Sequence, residues 1–266
     1  MNDLFRLERG STALLISMPH VGTVLPDALR ERLVPRALAC EDTDWHLEAL
    51  YGDIARSLGA SLIVPRHSRY LIDLNRPPED APMYPGAHNT ELCPSRFFTG
   101  EPLYLPGCEP DDAERQWRCE TYWQPYHDAL GAELARLRAI HGRVVLFDAH
   151  SIRSRLPWLF EGRLPDLNLG TASGKACDAG LREGLTSVLA GQTERDWVVD
   201  GRFKGGYITR HYGRPDLNQH ALQLEMCQSC YMEESPPFAY SARLSAGIQP
   251  LLRRLLEAAL AWVAHA

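Results

Sequence analysis

Four stretches of the chain put chemically capable groups directly after apolar runs of strand length. LLISMPHVGT runs out at His20, and YLIDLNRPPED brings Asn75 and Arg76 to a Pro-Pro stop. VVLFDAHSIRS ends in Asp148 and His150, and HALQLEMCQSCYM carries Glu225 among apolar neighbours. Histidines and carboxylates are the ligands of a catalytic divalent metal, which takes three protein donors and keeps a position for water. A carboxylate buried among apolar groups is costly unless it is paired or working, and desolvation raises its pKa towards that of a general base. A guanidinium is a planar donor fork for a carboxylate, and a neighbouring amide adds a further donor. Taken together, these groups could hold a divalent metal beside a small polar substrate.

Each residue also has a plainer reading. A lone histidine after a strand is commonly a hydrogen-bonded structural residue, and an arginine is commonly a surface charge. Asp148 either orients a neighbouring ligand or caps a turn. A buried Glu225 could simply pair with an arginine. Two histidines at strand ends shift the balance towards a shared site, because ligands of open α/β sheets gather outside the carboxyl ends of the strands.

Those strands and their intervening helices have to be positioned first. Apolar runs of strand length occur at Ala13–Met18, Leu62–Pro65, Val144–Phe147, Trp197–Val199 and Ala221–Leu224. Period-2 geometry sends Asp148 and His150 to the same side of their strand. Helical patterns cover Thr43–Leu58, about Asp112–Ile140 with an interruption near Pro125, about Lys175–Leu189, and Ala242–Val263 with Pro250 inside. In the first of these, Leu47, Leu50, Tyr51, Ile54 and Leu58 form one stripe, and Asp42 or Thr43 can cap the start.

This helix bears on the third metal ligand, for which CEDTDWH supplies the candidates. At about 100° per residue, Asp44 falls roughly 60° from the centre of the apolar stripe, whereas Asp42 lies far around the other side. Asp44 is the candidate, with an acid interacting with a helix dipole as the alternative.

Strands alternating with helices predict an α/β fold: a mixed, mainly parallel central sheet with helices on both faces. One catalytic domain is expected over residues 1–266. The stretch from Arg76 to Pro110 is punctuated by eight prolines and reads as a long ordered loop, because Tyr84, Phe97, Phe98 and Tyr104 give it something to bury.

The composition, 45% hydrophobic and 23% charged, is that of a globular protein. A net charge of -6 without a basic cluster gives no reason to expect a nucleic-acid partner. No apolar run is long enough to span a bilayer and the N-terminus lacks a secretory pattern, so a cytoplasmic protein with no membrane partner is expected. Seven scattered cysteines suit reduced thiols. Cys227 and Cys230 form a CxxC that reads either as two buried thiols or as a redox pair.

Considered jointly, SMPHVGT, DTDWH, SRYLIDLNRPPED, LFDAHSIRS, FKGGYITRHYG and HALQLEMCQSCYM resemble the N-formylglutamate amidohydrolase family, in order and across nearly the whole chain. The resemblance implies a fold similar to the zinc-dependent carboxypeptidases and aspartoacylases. It implies a metal held by His20, Asp44 and His150, with Glu225 as general acid and base. It also implies Asn75 and Arg76 as a substrate-carboxylate clamp, with Arg210, after the GGYIT turn, as a second cation; Arg69 and Arg202 are further candidates. In the relatives a glutamate stands three residues after the first zinc histidine; here that position is Thr23, so Asp44 is inferred from the later acidic motif.

The expected activity is hydrolysis of N-formyl-L-glutamate to L-glutamate and formate, a last step of histidine degradation. Zinc is the expected metal, although His and carboxylate ligands also suit iron, cobalt and manganese. The rivals are deacylation of another N-acyl amino acid, a serine hydrolase using Ser151, which lacks a G-x-S-x-G elbow, and a non-catalytic amino-acid-binding protein.

Overall fold

The computed structural model describes residues 4–83 and 88–265. In chain order the elements are β1 (Phe5–Glu8), β2 (Leu14–Ser17), α1 (Asp27–Arg30), α2 (Leu47–Ser57), β3 (Ser61–Pro65), α3 (Asp112–Arg118), α4 (Gln124–His141), β4 (Val144–Ile152), β5 (Leu167–Gly170), α5 (Ala179–Ala190), β6 (Trp197–Val199), α6 (Tyr207–Tyr212), β7 (Gln219–Cys227) and α7 (Ala242–His265). The strands form one sheet in the order β1-β3-β2-β4-β7-β5-β6. β1 pairs antiparallel with β3 and β5 antiparallel with β7, while the central β3-β2-β4-β7 run and the β5-β6 edge are parallel. The mixed, mainly parallel sheet expected from the alternation of elements is therefore present.

Alternation along the strands divides the core between the two faces. Leu14 and Ile16 of β2, Leu62 and Val64 of β3, Val145 and Phe147 of β4, and Leu222 and Leu224 of β7 pack with the apolar sides of α2, α5 and α7. Leu15, Ile63, Leu146 and Ala221 point the other way, onto α4, α6 and the segment around residues 70–74. Both faces are covered, so the central strands are apolar on both sides, and only their carboxyl ends turn polar.

Two strands went unread in the sequence. β1 and β5 are four residues each and carry charged or amide side chains, too short and mixed to show a period. The predicted strands at Val144 and Ala221 extend further, to Ile152 and Cys227, because the polar residues at their ends stay in the β4-β7 ladder. The break near Pro125 is a π-helical turn over Cys119–Trp123, immediately before the proline at the start of α4.

The helix expected from Thr43 begins only at Leu47. His46 precedes it with a left-handed φ of 61°, and neither Asp42 nor Thr43 caps it. The region from Arg76 to Pro110 is a packed loop, with Phe97, Leu103 and Tyr104 in one apolar cluster and Phe98 in the other. Tyr84 and Pro85 of that loop lie outside the described residues. No helix among the described residues is long and apolar enough to cross a membrane.

Candidate active site

The strand ends of β2, β4 and β7 deliver the site. Asp148 and His150 sit two apart on β4, and their parallel register partners on β7 are Gln223 and Glu225. Partners in register share a face, so four polar side chains stand together above the apolar layer of Val144, Leu146 and Ala221. His20 follows β2 after Pro19. The backbone N–H of Asp44 donates to the His20 carbonyl at 3.0 Å, which ties the segment before α2 to the end of β2.

These residues close on a common point. One donor atom each from His20, Asp44 and His150 lies within 4.8 Å of the others, and all three residues are buried. His150 Nδ1 is 3.1 Å and His20 Nδ1 3.7 Å from Asp44 Oδ2. Donors around a tetrahedral zinc at about 2.0–2.1 Å stand about 3.3 Å apart, between these two separations. Asp44 thus faces the histidines, but not for the helical reason the sequence suggested: it precedes the helix and is held by the link to His20. Asp42 accepts instead from Tyr70 Oη, Phe98 N–H and Arg153 Nη2, as an anchor for the surrounding loops.

The outward ring nitrogen of each histidine meets its own carboxylate. His20 Nε2 donates to Asp73 Oδ1 at 2.7 Å, and His150 Nε2 donates to Asp148 Oδ2 at 2.8 Å. Such carboxylates fix the tautomer and leave the other nitrogen free to coordinate. Asp148 therefore orients His150 and does not merely turn the chain. Asp73, fully buried, was unassigned in the sequence, although an acid within the apolar run LIDL was the available signal.

Asn75 lines the same cavity as Arg76 and is also bonded to the residues behind the histidines. Its Oδ1 accepts from the Ile208 N–H at 2.8 Å, which fixes the amide orientation, and its Nδ2 donates to Asp148 Oδ2 at 3.3 Å and lies 3.0 Å from His150 Nε2. Gly206 allows this approach, since a Cβ there would collide with the Asn75 amide.

The charges fit a divalent cation. Asp44, Asp73 and Asp148 are buried together, and Arg69 donates to Asp73 at 2.6 Å and stands 3.7 Å from Asp44. Arg69 hydrogen-bonds directly with only one of these carboxylates, and Asp148 Oδ1 has no hydrogen-bond partner among the described residues. Burial opposes ionisation of Asp44, but the hydrogen bonds from His150 and His20 outweigh it and hold its pKa low. Burial likewise opposes the charged form of His150, yet Asp148 and Asp44 raise its pKa well above the usual value. The acids around the two histidines favour positive charge between them. Glu225 behaves differently: burial first, then the charge of Asp44, raise its pKa to about 7 against the opposing pull of His150 and Arg69. Gln223 Nε2 donates to its Oε2 at 2.9 Å, while Gln223 Oε1 accepts from the Gly206 N–H.

A family model described as N-formylglutamate amidohydrolase matches residues 12–232. The chain belongs to the N-formylglutamate amidohydrolase family. It is 51% identical over 265 residues to a Pseudomonas putida protein named N-formylglutamate deformylase, covering 100% of this chain and 98% of that one. A Pseudomonas aeruginosa protein of the same name is 49% identical over 262 residues, covering 98% of each. The crystal structure of N-formylglutamate amidohydrolase from Ralstonia eutropha JMP134 superposes with a TM-score of 0.80 at 25% identity, covering 99% of this chain and 98% of that one. A gene product of Agrobacterium tumefaciens shares the fold, with a TM-score of 0.74 at 19% identity and 99% and 97% coverage.

In this family member one cavity takes in His20, Asp44, His150 and Glu225, together with Asn75, Arg69, Arg76 and Arg202. Arg76 is held on the Thr90 backbone and side-chain oxygens at 2.9 and 2.6 Å. Arg210, the expected second cation, is not brought here. It donates to the Gly205 and Met83 carbonyls and lines a neighbouring cavity with Lys175 and Lys204, because the turn into α6 carries it past the site. Ser151 Oγ accepts from Tyr231 Oη at 2.8 Å, and its N–H donates to Asp44, an arrangement that holds the Asp44 carboxylate in place. All seven cysteines are free; burial pushes the Cys230 thiol up to about 12, as for an inert buried thiol.

Proposed function

We propose that this protein hydrolyses N-formyl-L-glutamate to L-glutamate and formate in a metal-dependent reaction. The observation that carries the reading is the convergence of three buried metal donors, a carboxyl group with a raised pKa and Arg76 in one cavity of an N-formylglutamate amidohydrolase family member. Relatives at 51% and 49% identity are named N-formylglutamate deformylase, which supports the same substrate for this chain.

His20 Nδ1, Asp44 and His150 Nδ1 are the groups that would hold the metal, zinc being the ion that suits two imidazoles and a carboxylate. The chemistry such an ion supplies when bound is Lewis acidity towards a carbonyl oxygen and a lowered pKa for water. Glu225 takes a proton from the water that attacks the formyl carbon, then returns it to the amide nitrogen as the C–N bond breaks, releasing formate and the free amine. Burial raises its pKa above the ordinary carboxylate value, which helps it hold the proton between the two transfers. Arg76 binds a carboxylate of the amino acid, and Arg69 adds positive charge where the formyl oxygen gains negative charge. Asp73 and Asp148 keep the two imidazoles aimed inward. The place of the reaction is the last step of a route of histidine degradation.

The test is an acyl-group panel: formate, acetate and succinate release from N-formyl-, N-acetyl- and N-succinyl-L-glutamate by purified protein. The expected result is preference for the formyl compound by at least about 100-fold in kcat/KM. Equal or faster hydrolysis of a bulkier acyl group would replace this reading with that of a broader deacylase.

A further inference from the structure

We infer that Arg202 reads the acidic side chain of the substrate, while Arg76 holds the carboxylate next to the scissile amide; this rests on the proposed formylglutamate reading. N-formylglutamate carries two carboxylates separated by two methylenes, and a site selective for it needs two cations at different distances from the reacting carbon. The cavity is lined by three guanidinium groups, those of Arg69, Arg76 and Arg202.

Their surroundings sort them. Arg69 is buried, paired with Asp73 at 2.6 Å and close to Asp44, so its charge is matched by acids of the metal cradle. Arg76 directly follows Asn75, whose amide nitrogen is 3.0 Å from His150 Nε2. The Arg76 guanidinium itself donates to the Asn75 carbonyl at 3.2 Å, and the Asn75 N–H donates at 2.8 Å to Asp73, the acid on His20, which puts Arg76 at the histidine end of the cavity. The α-carboxylate is likewise at that end, two bonds from the scissile nitrogen.

Arg202 enters from elsewhere, on the connection between β6 and α6. Its guanidinium carbon lies 5.2 Å from the centre of the Phe203 ring, and its Nε and Nη2 face the Leu159 carbonyl at 3.3 and 3.2 Å. Leu159 and Phe203 themselves line the cavity. This wall is therefore an apolar surface ending in an oriented guanidinium fork, the complement of a short methylene arm ending in a carboxylate. The apolar part holds the two methylenes, and the fork selects the terminal charge. A neutral amide at the same place offers the fork no charge-assisted hydrogen bond, which is how a site rejects a near-isostere.

The experiment compares wild type, Arg202→Met and Arg202→Lys on N-formyl-L-glutamate and N-formyl-L-glutamine, with thermal unfolding to verify folding. Loss of a charge-assisted hydrogen bond predicts that the glutamate-over-glutamine ratio of kcat/KM falls about 10- to 100-fold in Arg202→Met, chiefly through KM for the acid. Arg202→Lys keeps the charge without the fork and should retain an intermediate preference. An unchanged ratio in a folded Arg202→Met enzyme overturns the assignment of Arg202 alone. A wild type that releases no formate from N-formyl-L-glutamate overturns the reading of the site, and the assignment with it.

Discussion

His150 and Glu225 are direct register partners on the parallel strands β4 and β7. Each is backed by the residue two positions earlier on its own strand: Asp148 bonds to His150 at 2.8 Å, and Gln223 to Glu225 at 2.9 Å. The period of a β-strand thus repeats one device twice, a reacting or ligating group supported by its i-2 neighbour. The same geometry places the proposed metal ligand His150 and the proposed proton carrier Glu225 on one face without a specialised loop.

Glu225→Gln keeps the shape and loses the base. General-base catalysis contributes about 100- to 10,000-fold, so kcat should fall by about that factor while metal content is retained. Steady-state kinetics with elemental analysis measures both. A variant within tenfold of wild-type kcat would remove Glu225 from proton transfer.

The pH dependence follows from the raised pKa of the same group. Only the carboxylate form accepts a proton, so kcat/KM should rise with pH through the pKa of Glu225 and level off above it. Burial sets that value at about 7 without a cation, and a bound cation draws it back towards the ordinary 4.5. The acid limb is therefore expected between those values in the loaded enzyme. Activity undiminished down to pH 4.5 would contradict it.

Asp73→Asn and Asp148→Asn test the carboxylates behind the histidines. Each should weaken metal binding about 10- to 100-fold, because the imidazole loses its fixed tautomer and some basicity. Competition with a chromogenic chelator reads this directly. Unchanged affinity in both variants would make the two acids structural only.

Arg76→Ala should raise KM for N-formyl-L-glutamate about tenfold or more, with a smaller change in kcat, since the carboxylate it binds does not react. Initial-rate kinetics decides the matter, and an unaltered KM takes Arg76 out of the clamp.

The sheet and its helical cover were legible in the sequence, and the proposed residues His20, Asp44, His150 and Glu225 do meet in one cavity, because strand ends concentrate polar residues where apolar periodicity stops. Asp44 was found for the wrong reason. A left-handed His46 delays the helix to Leu47, and the backbone link to His20 that aims Asp44 at the site is a tertiary contact no periodicity encodes. The same holds for Asp73, hidden in an apolar run until the fold brings it to His20. Arg202 and Arg210 illustrate the limit further. Both flank the FKGG turn, but only the turn's path across the sheet edge decides which guanidinium enters the cavity.

Formate release from N-formyl-L-glutamate, measured on purified protein before chelation, after chelation and after zinc is restored, tests the central claim most directly. The account predicts turnover, its loss with the chelator, and its return with the metal. Absence of formate under every metal condition, or full turnover in the chelated protein, would contradict it.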